Sequence, residues 1–326
     1  MHHEGLELVS TRSNPLIDPR LAIWNWEIPV YLFLGGLVAG LLVLGALLEL
    51  RRGDRPRSPS LGWAPFAGLL LLSLGMLALA LDLEHKFHIY RFFLAFKPAS
   101  PMSWGSWILI LVYPLGLGLG LLTLTDGQRA WLRSQPWAAR TRLAPFVDRA
   151  ARVAERARGA ILLGVIAIGV GLGIYTGLLL GTLVARPQWS TMVLPPLFLA
   201  SGISTGAAFL LLLRLSPAEH EQVARWDVYA IVAELVLIFL LLVGYATGGA
   251  VGQHQLYHLA GGPWTSAFWS LVVVAGLLVP LGMELAGLRR GAHLPLVVSV
   301  LVLVGGLALR IILLSAGQAS SYAEFV

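Results

Sequence analysis

The sequence predicts an all-α integral membrane protein, with eight transmembrane helices in two four-helix bundles and both termini outside. Three observations predict it. Of 326 residues, 57% are hydrophobic and only 12% charged, against about 25% charged in soluble domains, and the mean hydropathy is +0.78. Apolar runs long enough for a helix to cross about 30 Å of hydrocarbon recur eight times, at about 27–50, 62–84, 104–125, 159–185, 193–213, 226–248, 266–288 and 294–316. None shows the period-two alternation of a barrel strand, so each must satisfy its own backbone as a helix. The arginines supply the third observation. Arg51, Arg52, Arg55 and Arg57 fill the loop after the first run, and eight more, from Arg129 to Arg158, fill the loop after the third. Arg214 with Arg225 and Arg289 with Arg290 follow the fifth and seventh runs. By the positive-inside rule these loops are cytoplasmic, so the stretch from Asp82 to Ser103 and both ends of the chain face outward.

The first segment, 1–26, is a polar arm with Pro15 and Pro19, either a disordered tail or a strap for a partner. It lacks the apolar core of a secretory signal peptide. Trp24, Trp26 and Tyr31 read as an interfacial aromatic belt, with Asn25 and Glu27 among them. The first bundle spans 27–185 and the second 186–326. Between the third and fourth runs, APFVDRAARVAERAR places apolar residues at helical spacing between arginines, as in a helix lying in the inner interface against anionic lipid. Gly169, Gly173, Gly177 and Gly181 form a ladder down one face of the fourth helix, a packing seam that also admits a flat ligand beside Tyr175. PLFLASGISTG at 196–206 echoes VYLFLGGLVAG at 30–40, as two parallel halves would. Glu234, toward the inner half of the sixth helix, and Arg310, toward the outer end of the eighth, are charges inside spans. Such groups face a bundle interior and mark a pathway or a pair. By rise per residue these two lie roughly 10 Å or more apart in depth. Glu49 and Glu284, at inner helix ends beside arginines, are read as solvated.

The polar chemistry concentrates at DLEHKFHIYRFFLAFKPASPMSWGSW, residues 82–107, on the outer surface. No cysteine occurs, so disulfides, iron–sulfur ligation and thiolate metal sites belong to other chains. The eight histidines lie at termini, loops and helix ends, and no two sit on facing spans at one depth, which argues against a transmembrane haem. His85 with His88 and His254 with His258 have chelating spacings but only scattered carboxylates near them, so they read as interfacial hydrogen-bonding groups rather than metal ligands. The net charge of +6 lies in the membrane-facing loops and does not point to nucleic acid. What remains is a lipid-soluble two-electron carrier, a quinone. It needs aromatic walls, glycines for close approach, hydrogen-bond donors to two carbonyls and a proton donor.

At this point WNWEIPVYLFLGGLVAG, the 82–107 stretch with its SPMSWGSW end, YTGLLLGTLVARPQW at 175–189 and LRIILLSAGQ at 309–318 together resemble the NrfD/PsrC family of polysulfide-reductase-type membrane subunits. The resemblance implies a multi-pass subunit of the cytoplasmic membrane, without haem, that binds menaquinone or ubiquinone toward the outer end of the first bundle. It also implies a ferredoxin-like iron–sulfur partner docking on the outer face and a molybdopterin catalytic subunit that holds the substrate site, as in anaerobic respiratory electron transport. Tyr175 matches the family's fourth-helix tyrosine at the pocket, while Tyr31 and Ile28 stand where relatives can have histidine and asparagine. The quinone site is therefore placed at Asn25, Glu27, Tyr31, Asp82, His85 and Tyr175, with Asp82, Glu234 and Arg310 for proton transfer and no metal. The rival readings are a secondary transporter, disfavoured because no span is broken near its midplane, and a purely structural anchor, which has no need of Glu234 or Arg310.

Overall fold

The computed structural model describes residues 24–53, 56–82, 93–94, 96–136, 143–291 and 295–320. Eight helices are long and apolar enough to cross a membrane: α1 (Glu27–Arg51), α2 (Pro59–Asp82), α3 (Pro101–Thr123), α6 (Arg158–Gly181), α7 (Leu194–Leu211), α8 (Pro217–Thr247), α10 (Thr265–Arg290) and α11 (Leu296–Ala319). No strand occurs among the described residues. The protein is a multi-pass, all-α membrane protein. Among the described residues, three further helices, α4 (Asp126–Ser134), α5 (Leu143–Arg156) and α9 (Gly249–Ala260), lie between spans. The amphipathic α5 forms where the alternation of arginines and small apolar residues places it, and Arg133 of α4 bonds Asp148 of α5 at 2.6 Å.

Helix ends follow local chemistry. Pro101 begins α3 at its first turn, where its missing N–H costs nothing. Ser216 caps α8 reciprocally with Glu219, so this helix starts some nine residues before the apolar run that marks it in the sequence. Thr125 and Gln128 cap α4 in the same way. Both boxes also tie elements together, because Glu219 accepts from Ser58 Oγ and Gln128 Nε2 donates to the Pro59 carbonyl at 2.7 Å.

The most buried span is α1, which packs against α2, α6 and α7. In turn α7 packs against α6, α8 and α11, and α11 packs along α10. The echoing segments of α1 and α7 are the ones that cross: a Cβ on Gly202 would sit 2.7 Å from the Gly36 carbonyl oxygen, and one on Gly206 would meet the backbone at Gly40. Backbone contact of this kind needs small residues on both helices. The glycine ladder of α6 is likewise a seam, with Gly169 against Val43, Gly173 against Leu199 and Gly177 against Pro195.

Two acidic residues read as solvated are buried. The Glu49 side chain is 0% exposed and gathers three arginines: Arg57 at 3.1 Å and 2.5 Å, Arg158 at 2.6 Å and Arg52 at 3.3 Å. Its position next to Arg51 and Arg52 in sequence suggested a surface, but its main partners come from the following loop and from the start of α6, which close over it. Glu284 is also 0% exposed. It is buried in the bundle beside Asp227 of α8.

Candidate functional site

Both ends of the described chain, Trp24 and Ser320, lie at one face of the protein, together with Asp82 and the start of α3. Below that face a cavity of about 260 Å³ opens between α1, α2, α3 and α6. Each helix presents one stripe to it: Ile28, Tyr31 and Leu32 from α1; Met76, Leu79 and Asp82 from α2; Met102, Gly105, Ser106 and Leu109 from α3; Tyr175, Leu179 and Leu180 from α6. The spacings of three and four residues are those of a single helix face. Trp24 and Phe93 complete the wall. The lining is apolar except for the Tyr31 and Tyr175 phenols, Asp82, Ser106 and the Trp24 indole, which suits a flat, mostly apolar ligand with a few polar atoms. Met102, 55% exposed, marks a side on which the cavity opens to the surface.

The SPMSWGSW segment builds this wall residue by residue. Ser103 Oγ accepts from the Lys97 N–H at 2.9 Å, Trp104 Nε1 donates to the Pro98 carbonyl at 2.6 Å and the Ser100 N–H donates to the Lys97 carbonyl at 2.9 Å, which together fold the turn before α3. Ser106 Oγ donates to the Ser103 carbonyl at 2.8 Å. Gly105 faces Tyr175 so closely that a Cβ would occupy the space of the phenol ring and its hydroxyl. Glycine here leaves the room that the Tyr175 ring takes up beside the cavity.

Of the residues singled out from sequence, Tyr31, Asp82 and Tyr175 are brought together in this cavity. Glu27 is half-buried near Asp82 without lining it, and Asn25 is exposed outside it. His85 lies outside the described residues. Sequence reasoning misses Trp24, which reads as part of an interfacial belt, and Gly105 and Ser106, to which the SPMSWGSW motif by itself gives no role. Among the described residues no cluster of three metal-ligating side chains occurs. The rings of His254 and His258 lie 4.7 Å apart on α9.

Glu234 and Arg310 belong to a separate buried polar chain. Arg310, 1% exposed, donates from Nη1 to Ser201 Oγ and from Nη2 to the Phe198 carbonyl at 3.2 Å, with its guanidinium 4.8 Å from the Phe198 ring centroid. Glu234 lies beside the same Ser201 hydroxyl. The two side chains thus converge on one serine across the depth that rise per residue puts between them. One turn further along α7, Ser204 donates to Asp227 at 2.7 Å, and Asp227 faces Glu284. Asp227 Oδ2 and both Glu284 carboxyl oxygens are buried without a hydrogen-bond partner among the described residues. Asp227 was legible: it stands seven residues before Glu234, on the same face of one helix. At the other end, Arg310 Nη2 lies 3.1 Å from where a Gly36 Cβ would be. That is five residues, or roughly 7 Å of helix rise, from Tyr31.

Comparison with known proteins agrees with the likeness read from the motifs. The profile of the polysulphide reductase NrfD family matches residues 15–321. The C subunit of polysulfide reductase from Wolinella succinogenes is 32% identical over 310 residues, covering 91% of this protein and 94% of that one. Protein NrfD of Escherichia coli K12 is 32% identical over 308 residues, with 91% and 95% covered, and the NrfD homolog of Haemophilus influenzae is 30% identical over 321 residues, with 93% and 97% covered.

Proposed function

The chain belongs to the NrfD family of polysulphide reductase membrane proteins, and from that premise we propose that it is the quinone-binding subunit of a respiratory oxidoreductase complex in the cytoplasmic membrane. The observation that carries the reading is the cavity in which two phenols and a carboxyl line a mostly apolar slot. Quinone chemistry moves two electrons and two protons. Tyr31 and Tyr175 donate hydrogen bonds to the carbonyl oxygens, Asp82 holds a proton at the mouth, and Leu79, Leu109, Leu179 and Leu180 exclude water around the ring. The open side at Met102, 55% exposed, is where an isoprenoid tail leaves. With no cysteine to hold a cluster, electrons reach the cavity from a ferredoxin-like iron–sulfur partner. That partner docks on the face bearing Trp24 and the 96–103 turn, outside the cell by the arginine distribution, and is linked to a molybdopterin catalytic subunit. In this reading helices of 27–185 hold the quinone and those of 186–326 the proton-conducting groups.

The test is Tyr175→Phe, which keeps the ring and removes one donor. Losing a hydrogen bond worth about 0.5–1.5 kcal/mol weakens quinol or inhibitor binding about 2- to 13-fold. Binding and turnover equal to the parent's in the assembled complex take Tyr175 out of the site.

The series Glu284, Asp227, Ser204, Ser201, Glu234 and Arg310 supports coupling of quinone turnover to proton movement, with Glu234 as the relay between the arginine-rich face and the bundle interior. Glu234→Gln keeps size and hydrogen bonding but cannot carry a proton. In proteoliposomes this variant lowers the membrane potential generated per electron, with quinol binding unchanged. Parental turnover together with parental potential would leave Glu234 a structural residue.

A further inference from the structure

The LRIILLSAGQ segment ends at a contact that quinone chemistry alone does not explain. Trp24 precedes the first turn of α1, so its backbone has no helical partner. Both of its polar groups are instead met by one side chain from the far end of the sequence: the Trp24 N–H donates to Gln318 Oε1 at 3.0 Å, and Gln318 Nε2 donates to the Trp24 carbonyl at 2.9 Å. A side-chain amide is the group that can do both, with one acceptor and one donor side by side. Gln318 is itself fixed, because Arg186, buried in the loop after α6, donates to the Gln318 carbonyl at 3.3 Å and to the Ser320 carbonyl at 2.8 Å. The Trp24 ring is held too. It stacks on Trp189 at 5.4 Å with the planes 24° apart, and Trp189, 1% exposed, donates from Nε1 to the Leu313 carbonyl at 2.9 Å. The last helix therefore forms a socket, and the residue seated in it is a wall of the cavity.

The geometry points to Gln318 as a positioning residue for the quinone: acting through Trp24, it fixes the wall that closes the cavity toward the surface, although it does not line the cavity itself. The inference rests on the quinone reading. Its physical basis is entropic, since a pre-ordered wall spares the ligand the cost of ordering a loose segment on binding. An unclamped Trp24 leaves a cavity of the same chemistry that holds its ligand less well.

The experiment uses the assembled complex in membranes and a short-tailed quinol. Gln318→Met keeps the length of the side chain and deletes both hydrogen bonds, and it raises KM about 5- to 100-fold with kcat within roughly twofold of the parent. Gln318→Glu, which still accepts from the Trp24 N–H, gives a smaller rise. Trp24→Ala gives a rise comparable to that of Gln318→Met, and the double variant is no worse than the worse single one. A purely structural role for Gln318 would lower the amount of assembled complex and leave KM where it was, which overturns the proposal. If Tyr175→Phe and Trp24→Ala shift KM but Gln318→Met does not, the clamp is wrong and the quinone site stands. If none of the three shifts it, the quinone reading falls and the clamp with it.

Discussion

Replacing Gly105 by alanine is expected to cut kcat/KM for quinol about 10- to 1000-fold, more than removing the Tyr175 hydroxyl does. The added methyl claims the space of the Tyr175 phenol. Overpacking costs about 1–3 kcal/mol, and the displaced hydroxyl forfeits about 0.5–1.5 kcal/mol more. The loss should disappear where the ring is gone: in a Tyr175→Ala background, Gly105→Ala adds little, because the colliding atoms have been removed. Quinol kinetics of the four variants check this. An equal loss in both backgrounds would show that Gly105 acts through something other than Tyr175.

The second large effect is on stability. Glu49→Ala removes the carboxylate that joins Arg52 and Arg57, after α1, to Arg158 at the start of α6, and leaves three guanidinium groups facing one another. The Arg57 side chain is only 9% exposed, so solvent does little to relieve it. Breaking a buried pair from one side costs about 3–5 kcal/mol. Thermal unfolding of the detergent-solubilised protein should shift down by on the order of 5–10 °C. Glu49→Gln, which keeps an acceptor oxygen, should lose less. A Glu49→Ala midpoint within a degree or so of the parent's would mean that the arginines find water and that the cluster is ornamental.

The sequence made the spans legible because hydrocarbon imposes one pattern on all of them. Their ends were less so. The start of α8 is a capping box at Ser216 and Glu219, and that of α4 is another at Thr125 and Gln128; both signals stand in the sequence but outside the apolar runs that mark the spans. At the site, Tyr31, Asp82 and Tyr175 could be named from residue type and motif. Trp24 could not, since a tryptophan at a helix start is usually an interfacial anchor, and its real environment is set by Gln318, nearly the full length of the chain away. Glu49 and Glu284 show the same limit. Their neighbours in sequence are arginines, but what surrounds them is decided by the helices that pack over them. Asp227 sat in plain view at heptad spacing from Glu234.

In the proposed function a quinone head group lies between Tyr31, Gly105 and Tyr175. Photolabelling the intact complex with an azido-quinone and mapping the modified peptides tests it most directly. Label in the peptides carrying Trp24–Leu32, Met102–Leu109 and Tyr175–Leu180, competed away by excess unlabelled quinone, is the predicted result. Competable label confined to 126–156 or to the second half of the chain would contradict it.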